Sequence, residues 1–330
     1  MDRRTLSDAF VAQAGWSAAT RSFLAGDASD RSYDRLVLGD RSAVLMDAPP
    51  GADDPAVFAR IASHLAALGL SPPQVLASDY ANGFLLLEDL GDGLFARLVA
   101  RDPSREAELY AAAVDALVTL QRATPLPDLP DLSADDWAKA AEFAFTWYRF
   151  AATGEASGDL TVLAHLMRRH ADGPRVMILR DYHAENLLWL PQRSGVARVG
   201  LLDFQLGQLG QPGYDLVSLL QDARRDVSPE TEAAMKARFV AATGAQDFDV
   251  AYAVLGAQRA LRIMGVFARL CLKSGKAGYL PLMPRVWGQL QRNLAHPALA
   301  DLAQACRALP EPTADTLERI SAKCGTMSLR

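Results

Sequence analysis

The sequence predicts an α+β chain in two lobes. A small antiparallel-sheet lobe takes residues 1–87, a hinge takes 88–93, and a larger, mainly helical lobe takes 94–330. Three observations carry this reading. Short strand-forming runs, separated by turns at Gly39-Asp40, Pro49-Pro50-Gly51 and Asn82-Gly83, fill the first part of the chain. At Glu88-Asp89-Leu90-Gly91-Asp92-Gly93 these signals stop and long helical periodicity begins. Between 176 and 203 three short apolar runs return, each ending on or enclosing lone polar residues.

In order, 6–15 reads as a short amphipathic helix with Phe10, Val11 and Ala14 on one side. Strand signals flank the small polar centre at 26–32 and recur at 42–46, giving two antiparallel hairpins that share a strand. Asp54-Pro55 opens a helix that Gly69 stops, and 75–77 and 84–87 read as two more strands. Beyond the hinge, 104–121 is helical, and Pro125, Pro127 and Pro130 end it. Ser133 with Asp136 forms a capping-box pattern that opens a helix to 150. Further helices are expected at 159–170, 214–223, 229–244, 249–273, 286–294 and 297–308, with a loosely held tail from Pro310.

Half of the 330 residues are hydrophobic, enough for one large domain or two lobes around a cleft. The 34 basic and 39 acidic residues nearly balance, and no basic tract suggests a nucleic-acid partner. The N-terminus lacks the apolar core of a signal peptide, and no run of about 18 apolar residues is present to cross a membrane. Cys271, Cys306 and Cys324 are too scattered for a zinc signature or a disulfide framework and read as free thiols in a reducing cytoplasm. A monomer is favoured.

The runs 176–179, 187–190 and 199–202 read as buried strands, which places Asp181, Asn186 and Asp203 at strand edges or in a tight loop. An acid, an amide five residues later and an acid closing a later strand suit phosphoryl transfer. The first acid orients and accepts a hydroxyl proton, and the other two hold Mg2+ over the phosphates of ATP.

Leu179-Arg180-Asp181 through Asn186, then Asp203-Phe204-Gln205, resembles the kinase-like aminoglycoside phosphotransferase and choline kinase group, which shares the bilobal protein-kinase fold. The resemblance covers nearly the whole chain. The stretches at 26–36, 44–50 and 214–220 are similar to a bacterial branch of cell-wall recycling, whose members phosphorylate N-acetylmuramic acid and N-acetylglucosamine at the anomeric hydroxyl. The resemblance implies Asp181 as catalytic base, Asn186 and Asp203 on the metal, and Asp215 bracing the loop. It also implies adenine contacts from the backbone of Glu88 and Leu90.

Ser29 and Arg31 are candidates for the phosphates, His183, Glu185 and Gln205 for the sugar hydroxyls or acetamide, and Arg262, with Arg259, for a lactyl carboxylate on the sugar. Trp137, Trp147 and Tyr148, at helical spacing, are assigned to the core. The chain departs from the family pattern in three places. Leu179 stands where a His is usual, Met46 lies near the usual phosphate-binding lysine, and the helix at 54–67 has no Glu to pair with one. The first lysine in the chain is Lys139, so Arg31 and Arg35 are the candidate replacements. Two other readings stay open: a different small hydroxyl acceptor (an aminoglycoside, choline or a homoserine-like molecule), or a nucleotide-binding pseudokinase.

Overall fold

In chain order the protein forms α1 (Arg3–Gln13), β1 (Thr20–Gly26), β2 (Ser32–Leu38), β3 (Arg41–Asp47), α2 (Pro55–Ala67), β4 (Val75–Asp79), β5 (Phe84–Glu88), α3 (Phe95–Arg101) and α4 (Glu106–Arg122). It continues with α5 (Ala134–Ala141), a π-helical stretch (Ala144–Arg149), α6 (Phe150–Thr153) and α7 (Thr161–His170). Four short strands follow: β6 (Val176–Ile178), β7 (Leu187–Trp189), β8 (Val199–Leu201) and β9 (Gln208–Gly210). The chain ends with α8 (Tyr214–Leu220), α9 (Pro229–Thr243), α10 (Phe248–Ser274), α11 (Met283–Leu294), α12 (Ala300–Cys306) and α13 (Ala314–Ser321). The computed structural model describes residues 2–26, 31–49, 51 and 54–327. Two bodies result, Met1–Leu126 with Ala184–Gly207, and Pro127–His183 with Gln208–Arg330.

The first body is built on an antiparallel sheet of order β1-β2-β3-β5-β4. Its central strands β3 and β5 are buried on both faces, which is why they read as unbroken apolar runs. Alternate residues Ala43, Leu45, Phe84 and Leu86 pack with Phe10, Val11 and Trp16. Asp54 caps α2 by accepting the Ala56 N–H at 2.8 Å, with Pro55 in the first turn. The β7–β8 hairpin belongs to this body too. Leu201 donates its N–H to Ser71 C=O at 2.9 Å, and Trp189 to Gly93 C=O at 2.8 Å. A Cβ at Gly93 would sit 2.8 Å from the Trp189 carbonyl oxygen, so only glycine permits this approach. The stretch 88–93 and helices α3 and α4 therefore lie inside the first body.

The second body is mainly helical around α10. By length and composition α10 could cross a membrane, but 72% of its most apolar window is buried within the protein. Gly265 lets it approach the Phe143 backbone, just before the π-helical stretch. The capping box at Ser133 and Asp136 forms with both bonds in place. The helix it opens ends at Ala141 rather than running to 150 as a single α-helix.

The expectation of a loose tail from Pro310 is overturned. Thr313 caps α13, Ile320 is fully buried, and the Tyr148 hydroxyl donates to Pro310 C=O at 2.8 Å. Its apolar residues are too few and too spaced to signal a core element in one dimension, and contact with α6 and α10 supplies the burial.

Candidate active site

Asp181 sits in the second body, just beyond β6, which pairs antiparallel with β9. The intervening turn is strained. Arg180 has φ +72°, and the Asp181 N–H reaches Leu179 C=O at 2.9 Å, closing a three-residue γ-turn. A non-glycine residue in this region costs about 1–3 kcal/mol and persists only where its surroundings over-determine it.

They do so here. The Asp215 carboxylate, at the start of α8, accepts the N–H groups of Leu179 at 2.6 Å and Arg180 at 2.9 Å. The Ser218 hydroxyl donates to Arg180 C=O at 3.3 Å and accepts from Arg259 at 2.9 Å. Arg259, itself buried, also donates to Gln221 C=O at 3.0 Å. Asp215 is completely buried. Burial pushes its carboxyl up to about 7, against the downward pull of the two backbone N–H groups.

His183 is buried beside Arg224, whose Nη1 lies 3.3 Å from the ring Nε2. Burial, then the charges of Arg224 and Arg259, hold this imidazole well below its usual range. It is a neutral ring, with Nε2 assigned as acceptor because a guanidinium only donates. The chain leaves the second body immediately after this residue.

Asn186 and Asp203 belong to the first body, at the same end of the β7–β8 hairpin. Leu187 pairs with Leu201, and the Leu202 N–H donates to Asn186 C=O at 2.9 Å, so Asp203 emerges beside the start of β7. Asp203 has φ +54°. Its Oδ1 accepts from Arg31 Nη2 at 3.2 Å and from Gln205 Nε2 at 2.7 Å. Phe204 packs on Phe58 of α2 with centroids 4.7 Å apart and the rings tilted by 31°, which anchors the turn on the helix. Among the described residues, no three His, Cys, Asp or Glu side chains gather as a resident metal would require. One carboxylate and one amide form an oxygen donor set that would suit Mg2+, with Asn186 and Asp203 as the side chains that would hold it. The Asp203 oxygen already attracts a cationic group, the nearly buried Arg31 guanidinium.

The other sequence candidates divide clearly. The Glu88 N–H is taken by Gln74 C=O at 2.8 Å, and its carboxylate pairs with Arg193, so an adenine contact there falls to its carbonyl. The Leu90 N–H has no partner among the described residues. Arg35 is held by Asp89 at 3.1 Å and Asp92 at 3.0 Å, which already balance its charge. Met46 is buried in the centre of the sheet. Glu185 is exposed, Arg262 is half-buried on α10, and Ser29 lies outside the described residues. Sequence reasoning gave Arg180 no role. Its signal was adjacency to Asp181, and only the backbone angle made it stand out.

The profile of the phosphotransferase enzyme family matches residues 20–257. The chain belongs to that family. It is 39% identical to the N-acetylmuramate/N-acetylglucosamine kinase of Caulobacter vibrioides over 91% of this chain and 95% of that protein. It is 34% identical to the enzyme of the same name from Pseudomonas aeruginosa, over 93% and 94%. Among solved structures it resembles a putative aminoglycoside phosphotransferase of Ralstonia eutropha (TM-score 0.64, 17% identity, 88% of this chain and 97% of that one). A choline/ethanolamine kinase family protein of Mesorhizobium loti aligns with TM-score 0.60 at 13% identity, over 97% and 100%. The fold is the protein-kinase-like one of these enzymes. As a member of this family, the protein is a phosphotransferase that uses an alcohol group as acceptor.

Proposed function

We propose that this protein is an ATP-dependent sugar kinase that phosphorylates the anomeric hydroxyl of N-acetylmuramate, N-acetylglucosamine or both, in the cytoplasmic recycling of peptidoglycan. The observation that carries this reading is its near full-length similarity to the Caulobacter vibrioides kinase. Asp181 takes the hydroxyl proton. A hemiacetal hydroxyl is more acidic than an ordinary alcohol, so a carboxylate is an adequate base. Asp215, Ser218 and Arg259 fix the backbone that aims it. Asn186 and Asp203 hold Mg2+, which when bound neutralises charge on the phosphates. Arg31 adds positive charge beside Asp203 where related kinases use a lysine. The backbone at Glu88 and Leu90 receives adenine, with the Leu90 N–H as donor.

The test is turnover of ATP with a panel of amino sugars, aminoglycosides and choline. Asp181→Asn should lose turnover by about a thousandfold, the range of a positioned base, while ATP binding by calorimetry is retained. Near-normal turnover in that variant would remove Asp181 from the role of base. Turnover only with a non-sugar acceptor would replace the substrate assignment.

A further inference from the structure

Two cationic side chains of the second body lack a direct ion-pair partner among the described residues, although the charges of Asp181 and Asp215 act favourably on one of them, Arg180. Arg180, on the strained turn, and Arg262, on α10, have neither a hydrogen bond nor an ion pair from their guanidinium groups among the described residues. Both are half-buried. Burial and then the Arg262 charge lower the pKa of Arg180, while Tyr214, Asp181 and Asp215 act to raise it, so the two arginines lie within electrostatic reach of each other.

Their surroundings are unusually short of partners. Arg180 lies over the Trp137 ring at 5.9 Å, and Trp137 packs on Tyr214 with centroids 4.6 Å apart. Gln258, one helical turn before Arg262, donates to Trp137 C=O at 2.8 Å, which brings that face of α10 to the indole. Trp137 Nε1, the Tyr214 hydroxyl, Gln258 Oε1 and Arg180 Nε are all buried without a hydrogen-bond partner among the described residues. Trp137, Tyr214 and Gln258 are almost completely inaccessible. Buried polar atoms are nearly always paired, so several unpaired ones beside two unpaired cations mark a site built for a ligand. Strain at Arg180 supports the same conclusion, since the fold holds this residue in an unfavourable conformation with three hydrogen bonds.

We propose that Arg180, over Trp137, and Arg262 recognise the carboxylate of the 3-O-lactyl group and so select N-acetylmuramate over N-acetylglucosamine. This rests on the sugar-kinase reading above. The two sugars differ only in that lactyl ether, which carries a single negative charge. Arg180 adjoins Asp181 in the chain, so an acidic substituent on the same ring falls within reach of the pair. Guanidinium groups bind carboxylates through paired, charge-assisted hydrogen bonds, and stacking on an indole fixes their plane. Because both arginines keep some exposure, water solvates them when a neutral sugar binds. The site therefore favours the acid without rejecting the neutral acceptor.

The test compares three acceptors with the unaltered enzyme: N-acetylmuramate, its methyl ester and N-acetylglucosamine. The acid should exceed its ester in kcat/KM by about ten- to a hundredfold, the scale of hydrogen bonds to a charged group, and high salt should narrow the gap. Arg262→Gln should lower kcat/KM for the acid by a similar factor, and several-fold more than for N-acetylglucosamine. Equal kinetics for acid and ester overturn the proposal. So does a rise in the KM for ATP in Arg262→Gln with the acid-to-neutral ratio unchanged, which would place the pair on phosphate. An enzyme that turns over neither sugar overturns the underlying reading and this inference with it. Good turnover of both, without discrimination, overturns the inference alone.

Discussion

Asp215 concentrates much of the site's physics in one carboxylate. It is sealed from water, receives two N–H groups from the strained turn, and titrates at about 7. Its folded pKa lies above the 3.8 of a free side chain. Between those values the native state keeps a proton that the unfolded chain releases. Stability from this group therefore rises as pH falls through about 7, and the gain is complete below about 4. Asp215→Asn cannot titrate and loses this slope. Urea unfolding of both proteins from pH 8 to 5 should show wild type gaining on the variant by up to about 1.4 kcal/mol per pH unit. A constant difference across that range would mean that Asp215 does not titrate there. Asn also offers one acceptor oxygen where two N–H groups need partners, so the variant should be about 1–3 kcal/mol less stable at neutral pH.

Helix α10 holds the second body together, and its glycines make that possible. At Gly265 a Cβ would fall 2.2 Å from the carbonyl carbon of Phe143, where the backbone cannot yield as a flexible side chain would. Gly265→Ala should therefore lower stability by about 1–3 kcal/mol or more, despite the better helix propensity of alanine. An unchanged urea midpoint would refute the close approach. The same crowding bears on why 144–149 is π-helical while the sequence reads as a continuous helix to 150. Residue periodicity does not report a neighbouring backbone, and π-helical turns arise from such tertiary demands. Helix α3 escaped notice for a related reason. At seven residues, without a side-chain cap, it has no signal of its own and is fixed by its body, where Ala96 donates to Ala184 C=O at 3.0 Å.

Ligand binding acts on the molecule as a whole. On the proposed function, ATP with Mg2+ should bind the folded chain alone and raise stability by about 2.7 kcal/mol at a hundredfold excess over Kd. In thermal melts, Asp203→Ala should lose the part of that shift that depends on Mg2+ and keep a smaller part due to nucleotide alone. If the full magnesium-dependent shift survives, Asp203 does not hold the ion.

A small antiparallel sheet ahead of a mostly helical remainder, the hairpins of that sheet and the capping box at Ser133 were legible in the sequence, as were the positions proposed for catalysis and metal at Asp181, Asn186 and Asp203. They rest on local propensity, turn chemistry and short spacing. The missing lysine was legible as well, since an absence of a residue type needs no coordinates. Only tertiary structure put Arg31 against Asp203, 172 residues away, tied Arg35 to Asp89 and Asp92, and folded the tail into α13. Only it left Arg180 and Arg262 without a direct ion pair among the described residues. Side-chain pairing between distant segments depends on how elements pack, and a pattern along the chain carries no record of which charges the fold neutralises.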